Sequence, residues 1–204
     1  VLNGGRFYQS ANAIGTLSVG GNYTINSGVH VIGRTSGSNT TVGRDFLMTG
    51  GYFRVTYDQS GTLTVLGNFS LTGGTFNMSD AALPGVLNLA GNFTFTAGDI
   101  TETGTGSGEI IFNGYGPQLY NSSRAATGTI NFTVADGATL QMASAGSFIS
   151  SGGTFTLAAG GTLGITSADG ITTDLAGTTG NIRTTTARVF SDGANYIYNG
   201  TTPQ

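Results

Sequence analysis

The sequence predicts an all-β chain wound as a parallel β-helix, a β-solenoid with coils of about 23 residues, on three observations. Asn22, Asp45, Asn68 and Asn92 recur at intervals of 23, 23 and 24. Each is followed by an aromatic residue, Tyr23, Phe46, Phe69 or Phe93. A second series, Gly28, Gly51, Gly74 and Gly98, repeats the same intervals, so whole segments recur and not one residue type. Periods of this length mark a solenoid, in which one coil cannot bury its apolar face until a neighbour stacks on it.

Each coil can be read strand by strand. Leu17, Val19, Tyr23 and Ile25 of the first coil correspond to Thr40, Val42, Phe46 and Met48, then Leu63, Val65, Phe69 and Leu71, then Leu87, Leu89, Phe93 and Phe95. Strict alternation sends these side chains inward and Ser18, Thr24, Thr64, Ser70, Asn88 and Thr94 outward. Between the two apolar pairs lie Gly21-Asn22, Gly67-Asn68 or Gly91-Asn92, where glycine is expected to supply a corner with positive φ. The amide would bond its own backbone or its copy one coil away. A second corner falls at Ser27-Gly28, Gly50-Gly51, Gly73-Gly74 and Ala97-Gly98, after which Phe53 and Val55, Phe76 and Met78, then Ile100 resume the inward pattern. Roughly nine such coils would give a rod on the order of 40 to 45 Å long. Right-handed winding is the default for parallel crossovers.

Composition fits short strands and tight turns. The chain has 36 Gly in 204 residues, only 3 Pro and 8% charged residues, while the 38% hydrophobic content suffices for a continuous core. Seven cationic residues, all arginine, against ten carboxylates leave a net charge of -3, which gives no basic footprint for nucleic acid or anionic lipid. The absence of Cys removes disulfides and thiolate metal sites. No apolar run has the length of a membrane span, so membrane insertion is not expected. A start at Val1, without an initiator Met, is read as the start of a piece of something longer.

A longer period overlies the coil. Ile111-Phe112-Asn113-Gly114-Tyr115-Gly116-Pro117-Gln118 matches Ile197-Tyr198-Asn199-Gly200-Thr201-Thr202-Pro203-Gln204, and Leu2-Asn3-Gly4 with Gln9 is a looser copy. Gly146-Ser147-Phe148 through Gly152-Gly153-Thr154-Phe155-Thr156-Leu157 aligns with Gly67-Asn68-Phe69 through Gly73-Gly74-Thr75-Phe76-Asn77-Met78. The expectation is one solenoid over 1-204 made of two sequence units, about 1-112 and 113-204.

The paired I-[FY]-N-G-x-x-P-Q segments, the G-N-[FY]-[ST] coils and the closing run Asn181 to Phe190 with Gly193-Ala194-Asn195-Tyr196 carry a resemblance. They resemble the repeats of giant surface adhesin-like proteins of type IX-secreting, gliding-type bacteria. The resemblance covers nearly the whole chain and implies an extracellular, cell-surface location and a part in adhesion or gliding motility. It has no counterpart here to a sorting domain or a binding tip. The partners it implies are flanking repeats or capping domains of the same chain, with glycans or abiotic surfaces as targets.

Catalysis is the rival reading, because parallel β-helices also carry polysaccharide lyases and glycoside hydrolases. Asp58, Asp80 and Glu102 are evenly spaced, 22 apart, and are the candidates for a calcium or catalytic site, with Asp99 and Glu109 nearby. Stacked like charges repel, so such a line needs a cation, a shared proton or splayed loops, and solvated loop carboxylates are the plainer reading. His30 aligns with inward Phe53, Phe76 and Ile100, which favours a core imidazole over a catalytic base. Gly104 to Gly108 lacks the lysine and helix of a phosphate loop. Thr62 and Thr64, Thr94 and Thr96, and Thr154 and Thr156 raise a third reading, an outward threonine array that orders water as in ice-binding solenoids. Strand preference explains the same threonines. The expectation is therefore a structural and adhesive module without catalytic residues or a required cofactor, calcium being optional.

Overall fold

The computed structural model describes residues 1–9, 14–34 and 37–200. Their regular structure is all β, arranged as a parallel β-solenoid with two sheets of alternating strands. One sheet has nine rungs: β1 (Leu2–Tyr8), β3 (Tyr23–Gly33), β5 (Phe46–Thr56), β7 (Phe69–Ser79), β9 (Phe93–Glu102), β11 (Pro117–Ser122), β13 (Thr139–Met142), β15 (Thr162–Ile165) and β17 (Asn195–Tyr198). The other has eight: β2 (Thr16–Val19), β4 (Ser38–Val42), β6 (Gly61–Val65), β8 (Gly85–Leu89), β10 (Gly108–Phe112), β12 (Ile130–Val134), β14 (Thr154–Leu157) and β16 (Ala187–Phe190). Each strand pairs in parallel with the strand one coil on, for example Phe46 with Phe69 and Leu63 with Leu87. Nine rungs at the usual strand spacing make a rod about 40 Å long.

The cross-section has three faces because β3, β5, β7 and β9 bend in mid-strand. Gly28, Gly51, Gly74 and Gly98 sit at the bends with φ of 89°, 81°, 82° and 80°. Each long strand thereby contributes one inward run before the bend and another after it. In β7 these are Phe69 and Leu71, then Phe76 and Met78, all fully buried. The even-numbered strands form the third face, with inward Leu63 and Val65 alternating with half-buried Thr62 and Thr64.

The glycine before each ladder asparagine works differently from the sequence expectation. Gly21, Gly67 and Gly91 do not have positive φ. What Gly67 and Gly91 supply is room: a Cβ on Gly67 would stand 2.6 Å from the Arg44 carbonyl carbon, and one on Gly91 2.2 Å from the Gly67 carbonyl oxygen. Successive coils touch backbone to backbone at this corner, and a side chain would force them apart.

Later coils keep the winding but change phase. After β9 the post-bend limb shrinks to single bridges, Thr101 with Thr127 and Ile149 with Ile182, supplemented by backbone bonds such as Arg183 N to Ile149 O at 2.7 Å. Phe155 lies in β14, opposite Phe132, whereas its sequence match Phe76 lies on the post-bend limb of β7. The 146-to-157 segment is thus displaced by one face from the 67-to-78 segment it matches. Ile111 and Phe112 likewise end β10 in the eight-stranded sheet, while Ile197 and Tyr198 end β17 in the nine-stranded one. Residues Thr201 to Gln204 of that match lie outside the described residues. A glycine corner followed by alternating apolar residues suits any of the three faces, so similar segments can occupy different ones.

The core is one continuous apolar column from Tyr23 to Ile182. On the nine-stranded sheet the buried rings end at Tyr120 and Leu140, Met142, Leu163 and Ile165 follow, while the eight-stranded sheet keeps Phe132 and Phe155 in the core.

Candidate functional site

At the corner entering the nine-stranded sheet, the asparagine series makes a chain of hydrogen bonds along the rod. The Asp45 backbone N–H donates to Asn22 Oδ1 at 3.2 Å, and Asn68 N–H to Asp45 Oδ1 at 2.8 Å. Asn92 N–H then donates to Asn68 Oδ1 at 2.9 Å, and Leu119 N–H to Asn92 Oδ1 at 2.7 Å. Only the oxygen is common to all rungs, which is why aspartate can stand in at position 45. Beneath it runs the ring column: Phe46 on Phe69 at 5.3 Å, Phe69 on Phe93 at 5.3 Å and Phe93 on Tyr120 at 5.0 Å, all stacked, with Tyr23 edge-on to Phe46 at 5.9 Å. The four ladder residues and the four rings that follow them hold successive coils together.

His30 is fully buried between Phe7 at 4.9 Å and Phe53 at 4.7 Å, in the post-bend inner column. Its Nδ1 shares a 2.7 Å hydrogen bond with Tyr23 Oη. Burial pushes its pKa down to about 3 and that of Tyr23 up to about 12, so both are neutral in the folded chain. The unfolded imidazole binds a proton near pH 6.5 and the folded one does not. Stability supplied by this site is therefore whole above pH 6.5 and is lost as pH falls toward 3, on the order of 5 kcal/mol in the limit. Urea midpoints measured from pH 7 to pH 4 should fall more steeply for the native chain than for His30→Leu. Parallel curves would show that His30 is not held neutral.

The three carboxylates are not brought to one point. Asp58 lies 4.0 Å from Arg34, Asp80 pairs with Arg54 at 2.7 Å and accepts from Thr103 Oγ1 at 2.8 Å, and Glu102 accepts the Thr129 N–H at 3.2 Å. Among the described residues no three His, Asp or Glu side chains converge as metal ligands. Asp99 faces Arg124 at 3.8 Å, and Glu109 accepts from Thr133 at 3.2 Å. The threonine pairs are divided too: Thr62 and Thr64 with Thr154 and Thr156 face outward on the eight-stranded sheet, and Thr94 lies on the other.

A concentration of aromatic and charged groups does form, at the corner leaving the post-bend limb. The Arg34 guanidinium lies over the rings of Tyr8 at 5.0 Å and Tyr57 at 5.7 Å. The Arg54 guanidinium lies over Tyr57 at 5.0 Å and Tyr52 at 4.8 Å. The result is a run Tyr8, Arg34, Tyr57, Arg54, Tyr52 of alternating rings and cations along the first three rungs. Asp80 anchors Arg54, and Asn77 Nδ2 donates to Tyr52 Oη at 2.7 Å. Cation and ring attract through the ring quadrupole, and packing of this kind holds long side chains in place. The sequence reading missed this stack. Its signal is the one-coil spacing of Arg34 and Tyr57 in outward positions, where the Gly33 to Thr56 register places them side by side.

No protein-family model, curated protein or solved structure proved similar to this chain. The class that the fold defines is a parallel β-solenoid repeat, and its role rests on the geometry above.

Proposed function

We propose that this chain is a structural and adhesive module of a cell-surface protein, a rigid stalk that contributes to attachment to glycans or surfaces, including attachment during gliding. The observation that supports it is the outward Tyr8, Arg34, Tyr57, Arg54, Tyr52 stack on a rod whose outward strand positions are rich in hydroxyls and amides. Ring edges and phenol hydroxyls held in register, with the guanidinium donors between them, suit sugar rings and hydroxyls. Flanking repeats or capping domains of the same chain would continue the stalk, and many weak contacts would add up by multivalency.

The test uses beads coated with the chain and held under flow against glycan-coated surfaces. Native beads should be retained at least about tenfold better than beads carrying Tyr8→Ala, Arg34→Gln and Tyr57→Ala together. Native beads retained no better than bare ones would overturn the adhesive reading.

A further inference from the structure

The loop that follows β15 folds back against the solenoid and forms with it a cavity of about 310 Å³ that is open to solvent on one side. Phe148, Ser150, Leu175, Thr178, Arg183 and Thr185 line it. This volume is at the small end of ligand pockets, suited to one ring and not to a chain of them.

Arg183 is fixed in its wall. Its guanidinium stacks 4.1 Å from the centre of the Phe148 ring, and Nε donates to the Gly180 carbonyl at 2.8 Å. No carboxylate pairs with it, and its two terminal nitrogens have no acceptor among the described residues. Four other arginines contrast with it: Arg34, Arg54 and Arg124 face carboxylates, and Arg188 is spent on carbonyls. The opposite wall is fixed as well. Arg188 occupies the inward position next to Phe155 and donates to the carbonyls of Thr172, Asp174 and Gly177, at 3.3, 2.9 and 2.9 Å. That clamp holds the loop segment bearing Leu175 and Thr178 in place over Arg183.

A planar guanidinium with free terminal nitrogens is matched by a carboxylate, which it takes in two parallel hydrogen bonds. The hydroxyls of Ser150 and Thr178, and that of Thr185, which donates to the Ser151 carbonyl at 3.3 Å and is left as an acceptor, suit a polyhydroxylated partner, while Leu175 gives the apolar contact that a sugar ring makes through its C–H face. From this we infer that the cavity binds a single carboxylate-bearing sugar residue of an acidic glycan, with Arg183 holding the carboxylate. A free peptide C-terminus shares the carboxylate but does not use the three hydroxyls. The inference names a target class for the adhesive reading and rests on it, although it concerns a different site from the Arg–Tyr stack.

The experiment is saturation-transfer NMR and calorimetry on the whole chain with methyl β-D-glucuronide, methyl β-D-glucoside, acetate and a short Gly-Ser peptide. The glucuronide should bind, with the glucoside, acetate and peptide at least about tenfold weaker. Arg183→Gln should abolish that preference. Thr178→Glu, which adds a competing carboxylate to the lining that Arg183 shares, should do the same, while Thr178→Gln, which loses one hydroxyl but adds no charge, should weaken binding and keep the preference. Equal binding of acetate or of the peptide, or glucuronide binding undiminished in both Arg183→Gln and Thr178→Glu, would overturn the assignment. Glucuronide binding by a chain whose beads fail to adhere would support the cavity while ending the adhesive reading; adhesion with no glucuronide binding would do the reverse.

Discussion

Phe69→Ala is expected to lower the stability of the chain by about 3 to 5 kcal/mol, read as a fall in the urea midpoint at unchanged slope. Phe69 is fully buried, stacked between Phe46 and Phe93 at 5.3 Å on each side and edge-on to Phe76 at 5.0 Å. Removing the ring leaves a void that the surroundings cannot close. The rungs above and below are held at fixed spacing by strand hydrogen bonds on both sheets, and the ladder Asp45, Asn68 and Asn92 ties the corner beside the ring. The lost contacts are therefore not recovered by relaxation. Phe69→Leu keeps most of the volume and should cost clearly less. A loss under about 1 kcal/mol for Phe69→Ala would mean that the column is not packed as described.

Gly85→Ala is expected to be as damaging, by about 3 kcal/mol or more, although it adds a single methyl group. A Cβ there would stand 1.8 Å from the Met78 carbonyl oxygen and 3.1 Å from Val55 Cγ1. The closest contact is with backbone, so no rotamer change relieves it. Gly85 belongs to an inward column Ser38, Gly61, Gly85, Gly108, Ile130 at the start of the eight-stranded sheet, where the post-bend limb returns closest to it. The same substitution at Gly61 meets the Val55 carbonyl oxygen at 2.0 Å. Gly116 is the control: nothing lies within 4 Å of its Cβ position and its φ is not positive, so Gly116→Ala should be nearly neutral in the same melts.

These two residues also show what was legible in the sequence. Phe69 declared its place through spacing, because identical coils put identical residues on top of one another, and so regular a period is the mark of a solenoid. The bends at Gly28, Gly51, Gly74 and Gly98 were legible for the same reason. Gly85 was not, since a glycine needed for clearance looks in sequence like a glycine needed for φ, and only the neighbouring backbone distinguishes them. Tyr120 continues the ring column but escaped the pattern because Asn113 to Gly116 lengthen its coil, so that the step from Phe93 to Tyr120 is longer than any earlier step in the column.

The site was harder to read than the fold. The Arg–Tyr stack is built from outward positions, where any polar residue satisfies the solvent, so no strict repeat marks it. Arg183 and Phe148 come together across a coil that contains a long loop, and their distance in sequence matches no period seen earlier in the chain. The acidic series at Asp58, Asp80 and Glu102 was conspicuous by its even spacing, yet each carboxylate has its own partner, Arg34, Arg54 or the Thr129 N–H. Even spacing places residues on successive coils; it does not aim their side chains at each other.

The measurement that tests the adhesive account most directly is a glycan array probed with the purified chain and with the Tyr8, Arg34 and Tyr57 triple variant, followed by mass analysis of every glycan contacted. The account predicts retention on a subset of glycans, loss of retention on the uncharged ones in the variant, and glycan masses unchanged. Shortened glycans, or no retention on any spot, would contradict it.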